Sequence, residues 1–191
     1  MDIQPRVKQF GFDMDGVIID HTETKILLAK DFGFSLKPEE TPADVIRGII
    51  PLKKLNELKY RLYDDPVTGL LSPVMFGARE ALHKITLAGF PLFLISRRKN
   101  PDMAIKLLKH HDLWPTFFNE QNAYFVASPE EKNIKAHEIG ITHYTDDEVD
   151  VLRAVRVSHS FLFDSIGVFG EGESYTRVES WQNLLSHLLS S

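Results

Sequence analysis

The chain has 191 residues, of which 43% are hydrophobic and 26% are charged, the composition of a globular protein and not of a disordered one. It contains no cysteine, so disulfide bonds, thiolate metal sites and a cysteine nucleophile are excluded. The formal net charge of −5 argues against a generally basic surface for nucleic acid.

The N-terminal segment, MDIQPRVKQF, lacks the apolar run of a secretory signal. No apolar stretch approaches the roughly 20 residues that a membrane-spanning helix needs. We therefore expect a soluble, cytoplasmic protein with no membrane partner and no nucleic-acid partner. The sequence carries no signal for an oligomeric state.

Short apolar runs alternate with helical patterns along most of the chain, which is typical of a parallel sheet built from strand–helix–strand units. The predicted strands cover residues 7–12, 90–95, 122–127, 142–145 and 160–163. Helical periodicity and start signals predict helices over 77–88, 101–111, 129–139, 148–155 and 181–189. The sequence thus predicts a three-layer α/β fold around a mostly parallel, five-stranded sheet.

The region from about residue 20 to residue 65 breaks this alternation, because its pattern is only helical. Helices are predicted over 22–32, 42–49 and 52–63. An all-helical insertion directly after the first strand indicates a small cap over the edge of the sheet. The alternative is a few extra helices packed on one face.

Acidic and hydroxyl side chains stand where three of the predicted strands end. Asp13 and Asp15 follow the first strand, Ser96 follows the second, and Asp146 and Asp147 follow the fourth. Ligands of parallel sheets bind at the carboxyl ends of the strands, so we expect these residues on one rim. Crowded carboxylates raise each other's pKa, and Mg2+, a hard cation that takes oxygen ligands, relieves that repulsion.

The sequence GFDMDGVIID at 11–20 resembles the first motif of the haloacid dehalogenase-like (HAD) superfamily of phosphohydrolases. Further motifs of that superfamily follow in order, with Ser96 after an apolar strand, Lys132 opening a helix, and the Asp146-Asp147 pair after another strand. The resemblance covers nearly the whole chain. It implies a Rossmann-like core over 1–17 and 75–191 and an inserted helical cap over 18–74.

The resemblance also implies a role for each motif residue. Asp13 would attack phosphorus and form an aspartyl-phosphate, and Asp15 would act as the general acid and base. The Asp13 carboxylate, the Asp15 backbone carbonyl and Asp146 would hold Mg2+. Ser96 would donate a hydrogen bond to a phosphoryl oxygen, and Lys132 would pair with that group and with the nucleophile.

The spacing of the first motif suits this chemistry. Alternate residues of an extended chain project the same way, so Asp13 and Asp15 can face one substrate, and Gly16 lets the chain turn away. The superfamily's dehalogenases do not need an acid at the second position and its cation pumps carry threonine there, so Asp15 indicates a phosphatase or phosphomutase. A plain turn or a calcium loop is the other interpretation, but the flanking apolar residues do not suit an EF-hand.

Several assignments stay open at this stage. Lys135 competes with Lys132 for the lysine role, and Asp147 competes with Asp150 for the second acid of the last motif. Ser96 could cap the helix that follows its strand. Arg97, in a basic cluster with its two following residues, could bind a second anionic group of the substrate or form a solvated turn.

The sequence therefore predicts a Mg2+-dependent phosphatase that hydrolyses a small phosphorylated metabolite. The segment YTRVESWQNLL at 175–185 resembles the last strand and helix of some nucleotidase-like members, so a nucleotide is the leading candidate substrate. A phosphomutase on a sugar phosphate and a non-catalytic binding module on the same fold are the alternatives.

Overall fold

A computed structural model describes residues 7–190 of the chain, and its centre is one six-stranded sheet in which every neighbouring pair runs parallel. The order across the sheet is β3-β2-β1-β4-β5-β6. The strands are β1 (Phe10–Phe12), β2 (Leu92–Ser96), β3 (Ala123–Phe125), β4 (His143–Asp146), β5 (His159–Phe163) and β6 (Thr176–Val178).

Eight α-helices accompany the strands in the described part of the chain. They are α1 (Thr22–Lys30), α2 (Ala43–Ile46), α3 (Leu52–Tyr63), α4 (Ala78–Leu87), α5 (Pro101–His110), α6 (Pro129–Glu138), α7 (Val149–Ala154) and α8 (Trp181–Leu189). Short 3-10 helices cover Pro38–Glu40 and Thr68–Leu70. None of the helices in residues 7–190 has both the length and the apolar character needed to cross a bilayer.

The side chains of β1 explain why helices cover both faces of the sheet. Phe10 and Phe12 point to one face, where they pack in a core with buried residues of α4, α5 and α8, including Trp181. Gly11 faces the other side, where a Cβ atom would lie 2.9 Å from the Tyr144 ring, in the core covered by α6 and α7. The predicted three-layer α/β fold is confirmed.

The helices between β1 and β2 have an apolar cluster of their own, made by Leu28, Ala29, Leu36, Ile46, Ile50, Leu55, Leu58 and Leu62. The two segments that connect these helices to the sheet run side by side. The Asp20 N–H donates to the Pro73 carbonyl at 2.9 Å, and the Met75 N–H donates to the Ile18 carbonyl at 2.8 Å. The division into a core and a cap over 18–74 stays a prediction.

The structure departs from the predicted elements in two places. The sheet has six strands instead of five, because β6 is a three-residue edge strand with one buried side chain, Val178, too short to show alternation. The helix predicted over 42–49 ends at Ile46, and a turn containing Gly48 leads into Pro51, which precedes α3. Both differences lie at positions where local sequence signals are weakest.

Candidate active site

The sheet brings Asp13 and Asp146 together at its carboxyl edge. β1 pairs with β4 so that Phe12 lies opposite Thr145, and the Asp13 N–H continues the ladder by donating to the Thr145 carbonyl at 2.9 Å. Both carboxylates are almost fully buried. Two acids from separate strands therefore meet at one point of the rim, as the sequence predicts.

Lys132 lies between these two acids. Its Nζ donates to Asp13 Oδ1 and, at 2.7 Å, to Asp146 Oδ2. The lysine is 1% exposed and comes from the first turns of α6, where the Ser128 hydroxyl accepts the Glu131 N–H as the helix N-cap. The competing lysine, three residues further on, pairs with a surface glutamate instead. Of the two candidate lysines, Lys132 is therefore the one that lies among the acids of the rim.

Asp147 completes a cluster of three acids. Asp13, Asp146 and Asp147 each offer an oxygen within 4.8 Å of the others. Asp147 lies against Gly16, whose φ is +82° and whose added Cβ would be 2.1 Å from the Asp147 carboxylate, so only glycine fits at that turn. Asp150 is exposed and pairs with Arg153, outside the cluster.

The charges of this cluster fit a divalent cation. Burial raises the pKa of Asp13 to about 7, with Lys132 opposing the shift and Asp146 adding to it. Burial and the neighbouring Asp146 and Asp13 hold the pKa of Asp147 well above its usual range. Three carboxylates and one ammonium leave two negative charges, which one Mg2+ ion would balance with the oxygen ligands it prefers.

Asp15 is not part of this cluster, and two partners hold its carboxylate. Arg98 donates from Nε and Nη2 to the Asp15 carboxylate at 2.7–3.1 Å, and His21 Nε2 lies 2.7 Å from the same carboxylate. Although burial opposes it, the pKa of Asp15 is lowered by Arg98 and His21. The Asp15 N–H donates to Asp13 Oδ2 at 3.0 Å, so the backbone of one acid fixes the other.

The partners of Asp15 are bound to the segments that lead into and out of the inserted helices. His21 Nδ1 lies 2.6 Å from the Ser72 hydroxyl, and Ser72 donates to Thr24 Oγ1 at 3.0 Å. The Arg98 guanidinium lies over the Tyr63 ring at 4.6 Å and donates to the Tyr63 carbonyl at 3.3 Å. The position of Asp15 is therefore connected to the position of the inserted helices.

Ser96 ends β2, the other neighbour of β1, and is completely buried. Its Oγ accepts the Arg98 N–H at 3.2 Å. Ser96 does not cap the next helix, because α5 begins after Asn100, whose side chain accepts the Met103 N–H. The capping alternative for this serine is therefore wrong, and the residue stands on the same rim as the acids.

Arg97 and Arg47 share one carboxylate. Arg97 donates from Nη2 to Glu148 Oε1, and Arg47, at the end of α2, donates to Glu148 Oε2 at 2.7 Å. The Glu148 N–H in turn donates to Asp146 Oδ1 at 3.0 Å. The Arg97 Nε–H is buried and has no hydrogen-bond acceptor among the described residues. This donor is an unsatisfied polar group next to the acidic rim.

An open cleft of about 440 Å³ separates the rim from the inserted helices. Its lower wall includes the carboxylates of Asp13, Asp15 and Asp147. Its upper wall comes from α2 and α3, with Arg47 and Lys59 among the lining side chains. We call the acidic lower wall the floor of the cleft and the wall formed by α2 and α3, with its basic side chains, the roof.

No motif in the sequence assigns His21, Arg98 or Glu148 to the site. Arg98 had a signal, since it belongs to the basic cluster after β2. His21 follows the first motif closely but carries no spacing that indicates a partner. Glu148 reads as a favourable acid next to a helix start, which needs no ligand.

No family model matches the sequence, and no curated protein matches it either. Solved structures do match. A HAD family hydrolase from Deinococcus radiodurans R1, with bound phosphate and sodium, is 16% identical with a TM-score of 0.67 and covers 97% of this chain and 96% of its own. A HAD hydrolase of family IA, variant 3, from Entamoeba histolytica is 13% identical, with a TM-score of 0.63 over 95% and 99%.

An L-2-haloacid dehalogenase matches at 12% identity with a TM-score of 0.63, over 97% of this chain and 100% of that one. At such identities the likeness establishes the fold alone. Because these neighbours include both hydrolases and a dehalogenase, the fold does not select one reaction. The side chains of the site, and not the fold, distinguish one reaction from another.

Proposed function

We propose that this chain, which has the HAD-like fold, is a Mg2+-dependent phosphatase acting on a small phosphorylated metabolite through an aspartyl-phosphate on Asp13. The observation that carries the proposal is the buried contact of Lys132 with Asp13 and Asp146 on adjacent strands. A nucleophilic carboxylate needs a fixed cation to stay ionised and to approach an anionic phosphoryl group. A cytoplasmic location belongs to the same proposal.

Asp13, Asp146 and the Asp15 carbonyl would hold the metal ion, with Asp147 close by. Bound Mg2+ would neutralise charge on the transferring phosphoryl group. A carboxylate oxygen of Asp13 bonds to phosphorus while the bond from phosphorus to the leaving oxygen breaks. Water then attacks phosphorus, releases inorganic phosphate and restores the carboxylate. Ser96 and Lys132 bind the phosphoryl oxygens during both steps.

Asp15 is assigned the proton transfers of both steps. Its ion pair with Arg98 favours the ionised form, which is the form that accepts a proton from the attacking water. The first step needs the protonated form unless the leaving group departs without a proton. Phosphate esters of acidic alcohols, such as p-nitrophenyl phosphate, therefore make the most sensitive first substrate.

The test is release of phosphate from p-nitrophenyl phosphate with and without Mg2+. Asp13→Asn removes the nucleophile, and we expect its kcat to fall by about a thousandfold or more. Asp150→Asn, an acid of the same rim region that lies outside the cluster, is the matched control and should keep activity within about twofold. Metal-independent turnover, or full activity in Asp13→Asn, would refute the proposal.

A phosphomutase is the second candidate, supported by the basic roof of the cleft, which suits a substrate with two phosphates. It would return the phosphoryl group to a sugar phosphate instead of yielding it to water. Dependence of turnover on a sugar bisphosphate separates the two. The non-catalytic alternative is opposed by the complete set of Asp13, Asp15, Ser96, Lys132 and Asp146.

A further inference from the structure

The basic side chains of the cleft outnumber the carboxylates that pair with them. Arg47 pairs with Asp44 and with Glu148, and Arg97 shares the Glu148 carboxylate. Lys59 and Lys99 line the same cleft, and within residues 7–190 neither makes an ion pair. The cleft therefore holds two ammonium groups, those of Lys59 and Lys99, with which no carboxylate of residues 7–190 forms an ion pair.

A second and independent observation concerns the Arg97 Nε–H. Glu148 occupies only the Nη2 end of the guanidinium, while the buried Nε–H has no acceptor. A buried donor without an acceptor costs roughly 1–3 kcal/mol, so native proteins rarely keep one unless a ligand or water completes it. Arg97 lines the cleft, so a rotation of its guanidinium would present this donor to an anionic oxygen there.

Lys59 is the cation of α3 that faces this space. It is half-buried, and its pKa is lowered first by burial and then by Arg47, Lys25 and Arg97, with Glu148 opposing the shift. An ammonium among other cations is stabilised by an anion that lies between them. The cations could instead serve only to hold the inserted helices against the sheet. The ion pair of Arg47 with Glu148 fits that role, but Lys59 makes no ion pair among the described residues and does not.

We propose that Lys59, Arg97 and Lys99 form a second anion site, so that the substrate carries another anionic group, a phosphate or a carboxylate, besides the phosphoryl group that is transferred. This inference rests on the proposed function and narrows its substrate class to phosphorylated compounds with a second acidic group. Uncharged alcohol phosphates would lack that contact and bind more weakly.

Binding measurements test the site without relying on turnover. The full chain, in buffer with fixed free Mg2+, is titrated calorimetrically with alkylphosphonates and with the α,ω-diphosphonates and ω-phosphonocarboxylates of two-, three- and four-carbon chains. We expect at least one doubly anionic probe to bind about tenfold more tightly than the alkylphosphonate of equal length. An advantage confined to diphosphonates identifies phosphate as the second group; an advantage confined to phosphonocarboxylates identifies a carboxylate; an equal advantage shows a site that accepts either anion.

Lys59→Gln should reduce this advantage to less than about threefold, and Lys59→Arg should keep most of it because the charge remains. The advantage is a ratio within one variant, so a general loss of affinity cancels. Lys53→Gln, on the same helix but exposed and outside the cleft, is the matched control and should leave the ratio unchanged. Lys59→Met replaces Lys59→Gln if the latter does not fold.

The inference is overturned if no probe length shows an advantage, or if the advantage survives in Lys59→Gln. Failure of the proposed function has a different signature. In that case p-nitrophenyl phosphate is not hydrolysed by the wild-type chain, while the binding ratios still report on the second site.

Discussion

The floor and the roof of the cleft differ in how their charges are balanced. On the floor, Lys132 is buried between Asp13 and Asp146 and makes an ion pair with each of them. On the roof, Lys59 has no ion-pair partner among the described residues, and below it Arg97, directly after β2, keeps a free donor. The floor is preorganised for one chemical step, whereas the roof is incomplete without a ligand. In the function that we propose, the floor would carry the reaction and the unpaired basic side chains would carry the selectivity.

The largest effect should come from removing the cation of the floor. Lys132→Met leaves Asp13 and Asp146 facing each other without a positive charge, and we expect kcat for p-nitrophenyl phosphate to fall by about a thousandfold. Lys135→Met, one turn along α6 and paired on the surface, should stay within about twofold. Equal losses in both variants would show that the buried lysine has no special part in the reaction.

A large effect on stability is expected at Arg98, which joins the floor to the inserted helices. Arg98→Met removes both hydrogen-bonding nitrogens from the Asp15 carboxylate, which is 20% exposed, and should lower the free energy of unfolding by about 2–4 kcal/mol near pH 7. Urea denaturation measures it, with Arg156→Met as an exposed control.

The difference in unfolding free energy between wild type and Arg98→Met should depend on pH, because Arg98 lowers the pKa of Asp15. The pKa of Asp15 is lower in the folded chain than its ordinary value of 3.8, so its contribution is complete above that value and disappears as the pH falls below it. The gap between wild type and Arg98→Met should therefore shrink in acid. A gap that is constant down to about pH 2 would assign the loss to packing against Tyr63 alone.

The affinity of the protein for Mg2+ should depend on whether Asp13 is protonated. With a pKa of about 7 in the metal-free chain, Asp13 is protonated in mild acid, and Mg2+ has to displace that proton. We expect the apparent affinity for Mg2+ to rise by about tenfold between about pH 5.5 and 6.5 and to level off above about pH 8. Thermal shift titrations measure it, and in Asp13→Asn the slope should become shallower.

The smallest effect is expected where floor and roof meet at the surface. Arg47→Gln breaks the partly exposed ion pair with Glu148 and the one with Asp44, and the free energy of unfolding should change by less than about 1 kcal/mol. Denaturation in low and high salt checks it, since screening should remove most of the difference. A change of several kcal/mol would mean that this pair is a major support of the inserted helices.

The part of the site that the sequence predicts is the part attached to strands. Asp13 and Asp146 could be anticipated because the ends of parallel strands share one edge, and the two acids are separated by a single strand pairing. The HAD-like fold was predicted from the same motifs and is confirmed by the solved structures. Short-range signals are sufficient here because β2 and β4, the two neighbours of β1, also carry motif residues at their carboxyl ends.

The remaining residues depend on contacts between segments far apart in the chain. His21 reaches Ser72 across the inserted helices, and Arg98 reaches Tyr63. Nothing in the local sequence around either residue specifies such a partner, because side-chain contacts over dozens of residues depend on packing and not on spacing. The unpaired state of Lys59 could be recognised only once its neighbours were known.

The hydrogen bond from Asp20 to Pro73 means that the polypeptide departs from the sheet and rejoins it at neighbouring positions. The inserted helices therefore leave and return at the same place, and their presence does not push β1 and β2 apart. A short turn could therefore join these two positions without shifting the register of β1 against β2, and a longer excursion would fit equally well. In evolution, such inserted helices can be replaced by others while the carboxyl edge of the sheet stays unchanged.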